Sequence, residues 1–325
     1  MSAAHSIVRS VYHASRSCLG YFKSRKILRD YLLHYERAQK VYGKSGQDER
    51  LIKSITETGV RISIPRVDDN LVDFENRYFE IIDRLAADVA EKLEDIANCF
   101  FLPKLESIPG VTRTSDHPAV KAGDVISAQL KECLGLEGLN ELCAIVLPQI
   151  ERKVYGCDVV VDKVYIYRNL VSRLEDQISW RWHYDNHPNE ILKIMIYLTD
   201  VSESAGPFEY LRSTTTRKAF VADPRPLAAD TLITRPMLER YGQLGFEPHK
   251  VVGPKGTLVL FDNNTVHKAN MAKTRHRDVI VMQIRPSLVR RSQYIGREWT
   301  GSFPHVDFSP DPAEHRPINK VMISG

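Results

Sequence analysis

The sequence predicts an α+β protein, with helices through its first half and a β-barrel in its second. Two observations carry this. Apolar residues recur at helical spacing up to about residue 154, and at Cys157 the period switches to β-branched and aromatic runs. The length allows for both: 325 residues that are 43% hydrophobic can bury one large core or two modest ones. Seventeen glycines and 17 prolines are too few for collagen or low-complexity disorder.

The N-terminal stretch has the most uneven charge. Six basic residues (Arg9, Arg16, Lys23, Arg25, Lys26 and Arg29) precede the first acid, Asp30, and Ile7, Val11, Ala14, Cys18 and Tyr21 recur at helical spacing. Such a segment is either a helix docked on the domain with a solvated basic face, an interfacial helix making weak membrane-surface contact, or a mitochondrial presequence. A second helix is expected over 24–42, stopped by Gly43. From Leu71 the stripe Leu71, Phe74, Tyr78, Ile82, Leu85, Val89 and Ile96 predicts a long helix, with Asp68 and Asp69 as cap candidates. Helices are also expected over 125–134 and 137–154.

Strands follow at 159–167, 190–199, 207–211, 257–262 and 278–285, and 212–250 is a long excursion with a short helix near Pro236–Tyr241. A tail with four prolines (Pro304, Pro310, Pro312 and Pro317) closes the chain as an extended arm. The expected organisation is therefore a basic helical extension (1–60), a helix-flanked barrel domain (61–290, with its core over about 155–287) and a C-terminal arm (291–325).

The 45 Lys and Arg exceed the 41 Asp and Glu only slightly, for a net charge of +4. That excess suits an anionic small molecule and is too small to indicate nucleic acid. Five cysteines without a C-x-x-C pair, and no run near the ~18 apolar residues of a membrane helix, suggest a cytoplasmic protein.

The chemistry is concentrated in Trp180–Asp185. In H-x-D on an extended segment, His183 and Asp185 share one side of the chain and can take adjacent positions around a metal. The best third ligand is His267, which follows the strand 257–262 and the turn Asp262-Asn263-Asn264. Two histidines and a carboxylate on one face of an octahedral ion leave three positions open, the facial triad of non-haem Fe(II) oxygenases. Ten residues on, Arg277 begins a strand and is suited to bidentate capture of a carboxylate, with Arg275 and Arg285 as competitors. The plain alternative is an exposed arginine in the basic run 273–277. On 191–199, Lys193, Met195 and Tyr197 share one face and Leu192, Ile194, Ile196 and Leu198 the other. In a barrel wall the mixed face turns inward, so that Lys193 and Tyr197 line the pocket; a solvent-facing pair is the alternative. His187 follows directly but precedes Pro188 on an extended segment, which suits a rim position better than a ligand.

Four separated elements appear in order: the H-x-D segment, L-T-D-V-S-E-S-A-G-P-F-E-Y-L, G-T-L-V-L-F-D-N-N-T-V-H and R-x-x-I. Over about 155–287 this arrangement resembles the phytanoyl-CoA dioxygenase family of Fe(II)- and 2-oxoglutarate-dependent oxygenases. The resemblance implies a double-stranded β-helix, a jelly-roll or cupin-like barrel flanked by N-terminal helices. It implies Fe(II) held by His183, Asp185 and His267, 2-oxoglutarate anchored by Arg277, and O2 as oxidant. Arg168 stands where many members carry a lysine near the co-substrate. Here Leu211-Arg212-Ser213-Thr214 replaces the usual Pro-Gly-Ser-His-like turn, and Tyr184 lies between the ligands where Gln is common; both departures bear on the substrate. Asp185 fills the position that is a small residue in halogenating members, which implies hydroxylation of a small-molecule substrate. Two other classes remain open: a cupin-like metal-dependent isomerase or hydrolase, which would need no arginine clamp, and a catalytically silent binding relative.

Overall fold

The computed structural model describes residues 40, 47–68, 70–100, 125–128, 136, 138–171, 180–185, 191–214 and 232–287. The expected N-terminal helices, the C-terminal arm and His187 lie outside them. The described chain is a mixture of helices and two antiparallel sheets.

Helix α1 (Glu49–Thr58) is capped by Asp48, whose carboxylate accepts from the Arg50 and Leu51 amides, and it ends at Gly59. Strand β1 (Val60–Ser63) follows at once. Helix α2 (Asn76–Phe100) starts five residues later than the apolar stripe suggests. Leu71 is nonetheless buried: its amide donates to Ser63 Oγ and its carbonyl accepts from Lys153 Nζ, so tertiary partners fix it outside the helix. The expected cap at Asp68 and Asp69 is therefore not where the helix begins. Residues 125–128 are a strand, β2, and not the start of a helix. They pair with residues 166–169 along the sheet edge, and that pairing outweighs the local helical pattern. Helix α3 (Leu139–Ile150) runs into a wider π turn (Glu151–Tyr155) and precedes β3 (Val159–Asn169).

The remaining elements are β4 (Leu192–Tyr197), β5 (Phe208–Leu211), α4 (Arg235–Gln243), β6 (Pro248–Val251), β7 (Leu258–Asp262), β8 (His267–Ala269) and β9 (Arg277–Pro286). The large sheet has the order β1-β7-β4-β9-β3-β2 and the small one β6-β5-β8. Strands β1, β6 and β8 carry no legible periodicity, because three or four residues hold barely one period of alternation.

The large sheet is covered on both faces. Ile194, Ile196, Leu258, Leu260, Ile280 and Met282 pack against α2 and α3, and Leu51 and Ile55 of α1 join the same core. The alternate residues, Met195, Tyr197, Val259, Phe261, Val279 and Val281, pack against Phe208, Tyr210 and Val251 of the small sheet. The mixed face of β4 thus turns toward the space between the sheets and its aliphatic face toward the helices. Gly206, at φ 74°, makes the turn into β5; a Cβ there would lie 2.6 Å from the Asn270 carbonyl oxygen.

Candidate metal centre

The extended segment Trp180–Asp185 meets the end of the small sheet through one bridge. The His183 amide donates to the His267 carbonyl at 2.9 Å, and the His267 amide donates to the His183 carbonyl at 2.8 Å. Two residues on, the Asp185 amide donates to the Asn263 carbonyl, while the Asn263 side chain is itself tied to the Ile191 carbonyl. The turn after β7 therefore fixes the Asp185 end of H-x-D, and the start of β8 fixes the His183 end. Asp185 keeps the same side as His183 because of the two-residue period of extended chain.

Each imidazole is oriented through its far nitrogen. His183 Nδ1 faces the Arg181 carbonyl at 2.8 Å and His267 Nδ1 the Thr265 carbonyl at 2.7 Å, so Nδ1 carries the proton and Nε2 presents a lone pair. The rings stand 4.4 Å apart between centroids. Asp185 lies between their Nε2 atoms, one oxygen 4.0 Å from His183 and the other 3.9 Å from His267. One ligand atom from each of the three residues lies within 4.8 Å of the other two. His267 is buried beneath Phe208 and Phe261, and its pKa is lowered to about 3, first by that burial and then by the neighbouring His183. The ring therefore stays neutral. Lys193 reaches into the same site, with Nζ 2.5 Å from Asp185 Oδ2.

Arg277 is wholly buried on the inner face of β9, and none of its three guanidinium nitrogens has a hydrogen-bond partner among the described residues. Its carbon lies 5.9 Å from the Tyr167 ring centroid. Tyr197 lies beside it: burial pushes the phenol up to about 12 against the pull of the arginine, and its hydroxyl donates to the Val251 carbonyl. A buried cation without an anion is costly, and a bound carboxylate would relieve it. The competitors are placed elsewhere: Arg275 is exposed, and half-buried Arg285 donates to the Pro286 carbonyl.

Arg168 requires a correction. It sits on the helix-facing side of β3, in line with Ile166 of that core and near Glu94 of α2. Its guanidinium is held bidentately by Asp278, Nε to Oδ1 and Nη2 to Oδ2 both at 2.8 Å. It cannot also serve a co-substrate on the opposite face. One residue that the sequence reading passed over stands on the inner face: Gln283 is buried, with its Nε2 unpartnered, and is paired in register with Lys193. Counting in twos from Arg277 along β9 would have found it.

Residues 175–278 match the family model described as phytanoyl-CoA dioxygenase (PhyH). No curated protein matches the chain. Among solved structures, the chain is similar to EctD from S. alaskensis with bound Fe, at 13% identity and a TM-score of 0.49, over 75% of this chain and 81% of that one. It is also similar to the epimerase SnoN in complex with Fe3+, alpha ketoglutarate and nogalamycin RO, at 15% identity and a TM-score of 0.46, over 83% and 94%. A third is the non-heme alpha ketoglutarate dependent carbocyclase SnoK from nogalamycin biosynthesis, at 16% identity and a TM-score of 0.46, over 74% and 84%.

The family match supports an enzyme of the 2-oxoglutarate-dependent oxygenase class. Over the matched segment the chain is similar to the phytanoyl-CoA dioxygenase family, whose enzymes use Fe(II), 2-oxoglutarate and O2.

Proposed function

We propose that the chain hydroxylates an aliphatic C–H of a small molecule, with succinate and CO2 released from 2-oxoglutarate. Its fold is read as a jelly-roll barrel flanked by helices, with residues 61–290 as one catalytic unit, and its location as cytoplasmic. Among the described residues no helix is long and apolar enough to cross a membrane. The observation that carries the reading is the convergence of His183 Nε2, His267 Nε2 and the Asp185 carboxylate within 4.8 Å, both imidazoles having their far nitrogens bonded to carbonyls.

These residues fit a divalent iron. The two imidazoles and one carboxylate would hold Fe(II) on one face and leave the rest for small ligands. When bound, the iron supplies O2 activation coupled to oxidation of the keto acid. The chain's own residues do the rest. Arg277 would receive the far carboxylate of 2-oxoglutarate, and Tyr167 and Tyr197 wall that end of the pocket against water. Phe208 and Phe261 exclude water from the His267 side. Gln283 offers an unpaired amide donor on the same wall, which suits a substrate carrying an acceptor group.

The test is succinate release from 2-oxoglutarate by anaerobically iron-loaded protein on admitting air. Wild type should turn over slowly without substrate and faster with the right metabolite, and His267→Ala should not. Equal succinate release from the two proteins would overturn the assignment of the metal site. Metal-dependent turnover of a substrate without 2-oxoglutarate would instead favour the isomerase or hydrolase reading.

A further inference from the structure

Lys193 makes a contact that the triad chemistry does not require. It stands mid-strand on β4, on the inner face of the large sheet, paired in register with Phe261 on one side and Gln283 on the other. Its ammonium lies 2.5 Å from Asp185 Oδ2, at 6.0 Å from the Phe261 ring centroid. The side chains of the pair are only 15% and 18% exposed, so the interaction is poorly screened by water. Tyr165 and His267 also feel the lysine's charge. Asp185 is the single anion of the triad, and both neighbouring ligands are imidazoles.

We infer that Lys193 is the resident counter-ion of Asp185 and restrains metal affinity: its ammonium holds the carboxylate between the two histidines in the metal-free chain, and a divalent cation must bind against that positive charge. This rests on the reading of His183, Asp185 and His267 as metal ligands. A metal held by that carboxylate stands within a few ångström of the ammonium. At such separations in a half-buried site, repulsion between the charges exceeds thermal energy several-fold. Without the lysine, the carboxylate would lose the ammonium that holds it at 2.5 Å, and its position beside the two histidines would loosen. The lysine thus preserves the geometry of the ligands while lowering their affinity for the metal.

The experiment is anaerobic titration of the full chain with Co(II), read by calorimetry and by visible absorption, for wild type, Lys193→Met, Lys193→Gln and Lys193→Arg. The Met and Gln variants, which lack the charge, should bind at least about tenfold more tightly, and the Arg variant should stay within roughly threefold of wild type. The metal-induced rise in Tm should be larger in the Met and Gln variants, while their metal-free Tm should be lower. Gln retains a hydrogen-bond donor, so agreement between Gln and Met separates charge from hydrogen bonding. If both neutral variants bind as weakly as wild type or more weakly, the inference is overturned and the lysine is only a support for Asp185. If no chain binds Co(II) although all unfold cooperatively, the metal reading itself falls and takes the inference with it. Binding by the neutral variants alone would be the inference in its strongest form.

Discussion

His183 and His267 exchange both backbone hydrogen bonds across a single bridge, at 2.9 and 2.8 Å, although 84 positions separate them in sequence. That closed pair sets the two imidazoles side by side, their planes tilted by 50°, before any metal arrives. Their orientation then depends on two carbonyls, Arg181 and Thr265, and through Thr265 on a glycine more than 200 residues upstream.

That glycine is Gly59. It has φ 81°, and a Cβ would lie 2.2 Å from Thr265 Oγ1, whose hydroxyl donates to the Gly59 carbonyl. Gly59→Ala should destabilise the chain by about 2–4 kcal/mol, from left-handed strain together with a steric clash. Because Thr265 orients His267, metal affinity should fall as well. Thermal unfolding and Co(II) titration check both effects, and an unchanged Tm would show that the turn can move aside.

Arg277→Met should separate stability from binding. Removing a buried, unpartnered guanidinium in favour of a side chain of similar volume should leave the ligand-free protein as stable or more so. The same change should weaken 2-oxoglutarate binding by at least about thirtyfold, the equivalent of the ~2 kcal/mol minimum for a buried charge pair. Arg275→Met, at an exposed site, should change neither quantity. Equilibrium binding and urea unfolding on the three proteins are sufficient.

The Arg168–Asp278 pair should behave as structure and not as co-substrate machinery. Arg168→Met alone leaves Asp278, whose side chain is 2% exposed, without its bidentate partner, at a cost of about 3–5 kcal/mol. The double change Arg168→Met with Asp278→Leu should recover most of that loss. Affinity for 2-oxoglutarate in the folded double variant should remain close to wild type. A large selective loss of co-substrate binding would restore the role that the family resemblance implies for Arg168.

His267 should make the metal-free protein acid-sensitive. Its pKa in the folded chain, about 3, lies below the ordinary 6.5, so its stabilising neutrality is fully present above pH 6.5 and is lost as pH falls toward 3. His267→Phe cannot titrate. Relative to wild type, the variant should gain about 1.4 kcal/mol for each pH unit below 6.5. Denaturant unfolding at pH 7, 5.5 and 4.5 measures the difference; a pH-independent gap would show that the ring is solvated.

The sequence by itself determined the long elements and the chemistry they can carry. Val159–Asn169, Leu192–Tyr197 and Arg277–Pro286 each hold two or more periods of alternation, enough to mark them as strands and to divide their faces. H-x-D and a later histidine named three candidate ligands, because side-chain chemistry and the two-residue period are local properties. Only the tertiary structure decided which groups meet. β8 has three residues, too few to show a period, yet its pairing with Tyr210 and its bridge to His183 close the site. The helical pattern at 125–128 gave way to pairing with the edge of β3. Arg168 and Arg277 are both arginines near a strand end, and the sequence did not show which of them has an acidic partner. The register β3↔β9 places Arg168 opposite Asp278 and Asn169 opposite Arg277, so one guanidinium is neutralised on the helix side while the other is buried without an anion among the described residues. Such partnerships depend on long-range pairing between strands, which local patterning does not encode.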